Sequence, residues 1–285
     1  IIFFFKKLLP SIFSSGVTQI NILVGTIIAS FQAGAVSYLY YADRIYQINL
    51  AIAGIAVGTV MLPELSKHIK NKNFVETNDL QNRALELCLF LSVPAAVALV
   101  LASQQIVTSL FGYGSFNAIS VNNTAIALTF FAFGVPAFSI LKIFSNFFFA
   151  RNDTKTPFYL SVISVSLNII ISVSFFNRFG FIIIPIATSI SSWISVLMYY
   201  YFIKKKNLHN FDSKLIYKFP RILLSVVAMG IILYLLLGFS SNKFDYNESW
   251  KSIYLFIIVL ISLISYFLVS NFSGAYKFKD IKFKK

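Results

Sequence analysis

Arg44 and Lys142 are cations set deep inside long apolar stretches of this 285-residue chain. A charged side chain at the centre of a membrane helix costs about 2.5–3.5 kcal/mol on insertion scales, so each should face a bundle interior or a water-filled cavity rather than lipid. Arg44 lies in Tyr40-Tyr41-Ala42-Asp43-Arg44-Ile45-Tyr46-Gln47. Its planar guanidinium could grip a phosphate through two parallel hydrogen bonds. Alternatively it snorkels to an interface among Tyr38, Tyr40, Tyr41 and Tyr46, or pairs within the bundle. Asp43, its immediate neighbour, cannot share its helix face and suits a helix–helix contact. Lys142 stands about 13 Å along a helix from Arg151, at 1.5 Å per residue. It reads either as a weaker substrate contact or as an interhelical hydrogen-bond donor.

Other chemistry finds little support. His68 and His209 fall in polar stretches with no evident catalytic partner, and Asp43, Glu64, Glu76, Asp79, Glu86 and Asp153 are too scattered for a metal-binding or catalytic set. A membrane-bound glycosyltransferase would need such a set. Cys88 is the one cysteine, so an internal disulfide is impossible and a small core residue is the plain reading. The glycine patterns lack the following Lys-Ser/Thr and the preceding strand of a nucleotide loop. No enzyme activity, cofactor or metal is expected.

The elements that must position these residues are membrane helices. The chain is 58% hydrophobic and only 12% charged, with a mean hydropathy of +0.77, and a soluble protein could not cover that much apolar surface. Its apolar residues fall in blocks of about twenty, which as helix rise roughly 30 Å, the thickness of the hydrocarbon core. Eight spans follow: Leu8–Phe31, Val36–Met61, Ala84–Ala102, Thr124–Phe149, Phe158–Phe176, Phe181–Phe202, Ile222–Gly238 and Ile253–Val269. The fold class is therefore an all-α integral membrane protein with eight transmembrane helices. Residues 1–206 are expected to form a six-helix lobe, and 207–285 two additional helices with a basic cytoplasmic tail.

The net charge of +14 would suggest nucleic acid in a soluble protein, but here the basic residues mark topology. Loops after the odd-numbered spans carry only Arg178, Lys243 and Lys251, whereas the opposite face carries nineteen Lys and Arg. That bias places both ends in the cytoplasm, and no nucleic-acid partner is expected. Pro63–Arg83 reads as a long cytoplasmic connection, either a short amphipathic helix or a solvated basic loop. Gly-rich Phe111–Phe116 suits a tight turn or a short re-entrant segment. Pro94 and Pro136 should kink their spans. Gln19, Asn21, Asn49, Asn146, Asn168, Ser172 and Thr188 are polar residues within spans, usually helix–helix contacts. The chain begins without Met and is expected to be part of something longer.

Four stretches carry a family resemblance. Ser14-Ser15-Gly16-Val17-Thr18-Gln19-Ile20-Asn21 and on to Ser30, Tyr40-Tyr41-Ala42-Asp43-Arg44, Gly58-Thr59-Val60-Met61-Leu62-Pro63-Glu64-Leu65-Ser66 and Ala150-Arg151-Asn152-Asp153-Thr154-Lys155-Thr156-Pro157 resemble the MurJ (MviN) family of bacterial lipid II flippases. The resemblance covers about Leu8 to Phe202 by motif and the last two spans by hydropathy. It implies a transporter of the multidrug/oligosaccharidyl-lipid/polysaccharide exporter superfamily, of which this chain looks like spans seven to fourteen with the N-terminal lobe missing. By resemblance Arg44 faces the central cavity as a pyrophosphate contact, and the last two helices form a groove for the lipid tail. Some members bind sodium in this lobe. Asn168 and Thr188 match two of those positions, but Gly25 and Ser172 stand where carboxylates would be, so the site reads as degraded and tight sodium binding is not expected.

The function implied is movement of lipid II from the cytoplasmic to the outer leaflet by alternating access, with lipid II, membrane lipids and the missing lobe as partners. An exporter of another lipid-linked oligosaccharide or drug, or an inactive half-transporter, are the competing readings.

Overall fold

The computed structural model describes residues 19–276. The first half of the expected opening span, Lys6, Lys7 and the basic tail lie outside the described residues. Along the chain run α1 (Gln19–Ser30), α2 (Ala35–Lys70), α3 (Phe74–Leu101), α4 (Ser103–Phe111), α5 (Ala118–Phe149), α6 (Lys155–Phe179), α7 (Ile183–Lys205), α8 (Ser213–Phe239) and α9 (Lys251–Ser273). Six continuous helical stretches are long and apolar enough to cross a membrane, and one of them, Lys155–Lys205, folds back at Gly180 to give α6 and α7. With α1, eight helices therefore take up the eight expected spans.

α5 is the axis. It packs on α2, α3, α4 and α7; α6 lies against α7, and the α8–α9 hairpin docks on α3. Between apolar helices in lipid, close packing replaces hydrophobic drive, and small residues permit it. Ala35, Ala42, Ala125, Ala132, Ala137 and Ala187 are accordingly buried. Large rings fill the remaining space, with Phe147 and Phe148 of α5 fully enclosed.

Two features of the helices differ from expectation. α2 runs unbroken to Lys70 and α3 starts at Phe74, so Pro63–Arg83 is neither a loop nor a separate amphipathic helix. α2 has 36 residues, about 54 Å at 1.5 Å per residue, so it must extend well past a hydrocarbon layer of about 30 Å. Lys72, with φ 56, turns the chain and Asn73 caps α3 by accepting from the Glu76 N–H at 3.2 Å. Beyond Phe111 the chain makes a turn through Gly114 (φ 57) and then enters α5, whose cap Asn117 accepts from the Ser120 N–H at 2.9 Å. The Gly-rich stretch is thus a turn.

Both expected prolines lie inside helices, and at Pro94 a partner from a neighbouring helix takes the carbonyl left free. Pro94 cannot donate to Phe90 four residues earlier; the buried Tyr266 hydroxyl of α9 donates to that carbonyl instead, at 2.7 Å. Around Pro136, Ser189 and Trp193 of α7 donate to the carbonyls of Phe130 (2.6 Å) and Phe133 (2.9 Å).

At the other end of α9, Lys251 is fully buried. Its ammonium donates to the carbonyls of Gly112 and Tyr246, both at 2.7 Å, and sits 4.0 Å from the Tyr113 ring centroid. Carbonyl dipoles and a π-face stabilise the charge there. Lys251 and Tyr266 together fasten α9 to the α3–α4 segment at two levels.

Candidate functional site

Arg44 projects from α2 on a face that carries Val36, Tyr40, Ile48, Ile52 and Ile55, all exposed, while Ala35, Ala42 and Ile45 on the other face enter the core. Its guanidinium carbon lies 4.7 Å from the Tyr40 ring centroid. Asp43 forms no ion pair with it; the carboxylate instead accepts from the Gln47 amide and from the Tyr46 hydroxyl, on a different side of α2. Tyr46 in turn packs on Phe131 and Phe138 of α5, at 4.9 and 5.3 Å between centroids. The neighbouring carboxylate is thus engaged within α2, and the guanidinium stays open to an external anion.

Past Arg44, α2 loosens into a π-helical segment, Ala51–Ala56. Such widened turns are rare and concentrate at functional sites. Here the segment brings Gly54 against α5: a Cβ on Gly54 would lie 3.1 Å from the Ser139 backbone and 3.4 Å from the Lys142 side chain. At Gly58 a Cβ would meet the Asn146 amide at 2.6 Å, and that amide donates to the Gly58 carbonyl at 2.9 Å. The spacing Gly54-x-x-x-Gly58 is the small-residue pattern that allows close helix crossing. The sequence carries this signal in its spacing alone. Asn146 is the helix–helix contact its type suggested.

Lys142 is exposed, with its stem laid across Gly54. Gly54 is ten residues along α2 from Arg44, about 15 Å at helical rise. The two exposed cations therefore leave the α2–α5 pair at different levels.

Gly25, Asn168, Ser172 and Thr188, the positions matched by resemblance to a sodium site, lie close to one another. Asn168 of α6 donates to the Thr188 hydroxyl of α7 at 3.0 Å, Ser172 donates to the Asn168 carbonyl oxygen at 3.2 Å, and Thr188 donates to the Ile184 carbonyl at 2.8 Å. Gly25 of α1 faces the same turn, since a Cβ there would lie 3.8 Å from Ile184. The result is a ladder of neutral groups whose oxygens already accept or donate within the protein. Among the described residues, no group of three or more His, Cys, Asp or Glu could hold a metal ion.

On the opposite side of the molecule from the α1–α2 turn, the ends of α3, α5 and α7 are bolted together. Asp153 accepts from Lys206 at 2.7 Å and from the Thr156 N–H and hydroxyl at 3.0 and 2.8 Å. Burial would raise its carboxyl, but these donors outweigh it and hold the group below the usual range. Beside it, the buried His209 ring sits between Phe147 and Phe211, and burial, with Arg151 nearby, pushes it down to about 4. His209 is therefore a neutral structural ring at physiological pH, packed rather than catalytic.

Comparison with known proteins adds to this geometry. The sequence profile of the family described as lipid II flippase MurJ matches residues 2–273. A probable lipid II flippase MurJ of Rhizobium meliloti (strain 1021) is 39% identical over 226 residues, 79% of this chain and 42% of that protein. One from Rickettsia prowazekii (strain Madrid E) is 36% identical over 98% of this chain and 55% of its own length. A solved structure of lipid II flippase MurJ in an inward closed conformation superposes with a TM-score of 0.78 at 30% identity, over 93% of this chain and 52% of that one. An outward-facing multidrug resistance transporter of the MATE family shares the fold alone, with a TM-score of 0.60 at 17% identity. The chain spans about half the length of the curated relatives it matches.

Proposed function

This multi-pass membrane protein belongs to the lipid II flippase MurJ family, and from that premise we propose that it supplies half of a transporter moving lipid II across the bacterial inner membrane. The single observation that carries the reading is Arg44: a permanent cation on an exposed, otherwise apolar helix face, with its adjacent carboxylate engaged elsewhere. Facing lipid, that group would cost several kcal/mol. Facing a cavity shared with the rest of a longer transporter, it is an anion receptor, and the pyrophosphate of lipid II is the anion that fits a bidentate guanidinium. Lys142 of α5, whose stem meets α2 at Gly54 about 15 Å along that helix from Arg44, is a weaker contact that a long head group meets at a different stage of passage.

Residues 1–206 act as the moving lobe, and residues 207–285 add α8 and α9, fastened to it through Tyr266 and Lys251. Transport proceeds by alternating access, with no covalent step and no cofactor. Both ends lie in the cytoplasm, as the basic residues clustered on one side require. Cysteines placed near Ser115 and Asn242 should then react with an external membrane-impermeant thiol reagent, and cysteines near Lys72 and Lys205 should not.

The function is tested in cells whose resident lipid II flippase is depleted. The protein as its own gene encodes it should restore growth. Arg44→Ala should abolish rescue at unchanged membrane abundance, Arg44→Lys should restore little because one ammonium lacks the forked donor pair, and Lys142→Ala should be milder. Full rescue by Arg44→Ala would remove the proposed role.

A further inference from the structure

Between Arg44 and the α1–α2 turn the surface opens into a cleft of about 550 Å³, lined among others by Ser30, Gln32, Gly34, Ser37, Tyr40 and Tyr41. Ser37, Tyr40 and Arg44 follow at helical spacings of three and four residues and so share one face of α2. The cleft therefore adjoins the anion receptor through Tyr40, with Ser37 about 10 Å from Arg44 at helical rise.

Its walls have a definite chemistry. Tyr40 is 53% exposed and gives one ring face to Arg44, 4.7 Å from the centroid. Tyr41 meets Tyr40 edge-on at 5.9 Å and is held from behind by Phe111 and Phe116 at 4.7 and 5.0 Å. The aromatic wall is thus fixed before anything binds. Gln32 is fixed as well: its side-chain oxygen accepts from the Phe181 N–H at 2.8 Å, which leaves the amide NH₂ as a donor at the cleft wall. Ser37 adds an exposed hydroxyl. Gly34, at φ 77, lines the cleft where a Cβ would lie 2.5 Å from the Tyr38 hydroxyl.

Aromatic faces with a few neutral donors, and among the described residues no charge apart from Arg44 at one end, suit a sugar. A second phosphate or a peptide carboxylate would call for another cation, and an acyl chain would leave the amide unsatisfied. We propose that this cleft is a sugar subsite, receiving the amino sugar linked to the pyrophosphate that Arg44 holds, with its ring on Tyr40 and Tyr41 and its acetamido or hydroxyl groups on Gln32 and Ser37. The inference rests on the reading of Arg44 given above.

Two lipid probes separate the claims: undecaprenyl pyrophosphate, and the same lipid carrying an N-acetylhexosamine. Binding of each is measured to the protein as its own gene encodes it, in nanodiscs. Arg44→Ala should weaken both. Tyr40→Leu should weaken the glycosylated lipid by roughly tenfold, the loss of one well-placed aromatic contact, and the bare pyrophosphate by far less. Because Tyr40 also touches Arg44, Ser37→Phe provides the independent arm; it fills the cleft without reaching the guanidinium and should act on the glycosylated lipid alone. If Arg44→Ala weakens both probes while the Tyr40 and Ser37 variants treat them alike, the subsite is wrong and the Arg44 reading stands. If Arg44→Ala changes neither, the reading of Arg44 fails first.

Discussion

The Phe90 carbonyl shows how single residues decide the packing of this chain. Pro94 leaves it without its helical donor, in a layer where no water can substitute, and Tyr266 supplies the missing hydrogen bond at 2.7 Å from a helix 176 residues further on. Pro94 was legible as a kink in the sequence, but its partner was not, because nothing local to Tyr266 marks it. Removing the hydroxyl in Tyr266→Phe should cost about 1–3 kcal/mol, the penalty of an unsatisfied buried carbonyl. In a Pro94→Ala background, where the restored backbone N–H fills the same carbonyl, the loss should shrink to a few tenths of a kcal/mol. Thermal unfolding of the four proteins closes the cycle, and equal losses with and without Pro94 would show that the hydroxyl does not act by satisfying the carbonyl that Pro94 leaves free. Arg44 was legible for the converse reason: a lone guanidinium in an apolar run needs no partner to be conspicuous. Gly54 and Gly58 were legible in principle through their spacing, whereas the burial of Lys251 was not, since in sequence it is one more basic residue at the edge of a span.

At the scale of elements, hydropathy located all eight spans because lipid demands apolar side chains over the full thickness of the bilayer. It could not give their ends. Outside the bilayer a helix may be polar on all sides, so the stretch from Pro63 to Arg83 reads as a connection, a short amphipathic helix or a basic loop, although α2 runs to Lys70 and α3 starts at Phe74. The pairing of α6 with α7 was partly visible, through Asn168, Ser172 and Thr188, and the structure joins them in one hydrogen-bonded ladder. A sodium ion there would have to displace those bonds and be held by neutral oxygens with Gly25 and Ser172 in place of carboxylates, leaving its charge uncompensated at a cost of several kcal/mol. The thermal unfolding midpoint should therefore shift no more in NaCl than in matched KCl or choline chloride. A sodium-specific rise that disappears in Asn168→Ala would overturn this, and would mean that neutral oxygens suffice.

For the whole molecule, the path from sequence to function runs through asymmetry. One side of the α2–α5 pair is packed against α3, α4 and α7, and the other presents Tyr40, Arg44 and Lys142 on an exposed surface. Such a surface makes sense as one wall of a cavity, and the family to which the chain belongs consists of proteins about twice its length. Composition alone reached a membrane bundle with a cationic site; the cell-wall precursor came from the motifs around Arg44 and Arg151, because charge and hydropathy do not distinguish one pyrophosphate lipid from another. The central claim is best tested by counting lipid II in the outer leaflet of spheroplasts depleted of their resident flippase, using an externally added enzyme that cleaves exposed lipid II. Cells carrying this protein should show the cleavage product at levels close to those before depletion, and cells carrying Arg44→Ala should fall to the depleted background while lipid II accumulates inside. Equal product from both would contradict the account.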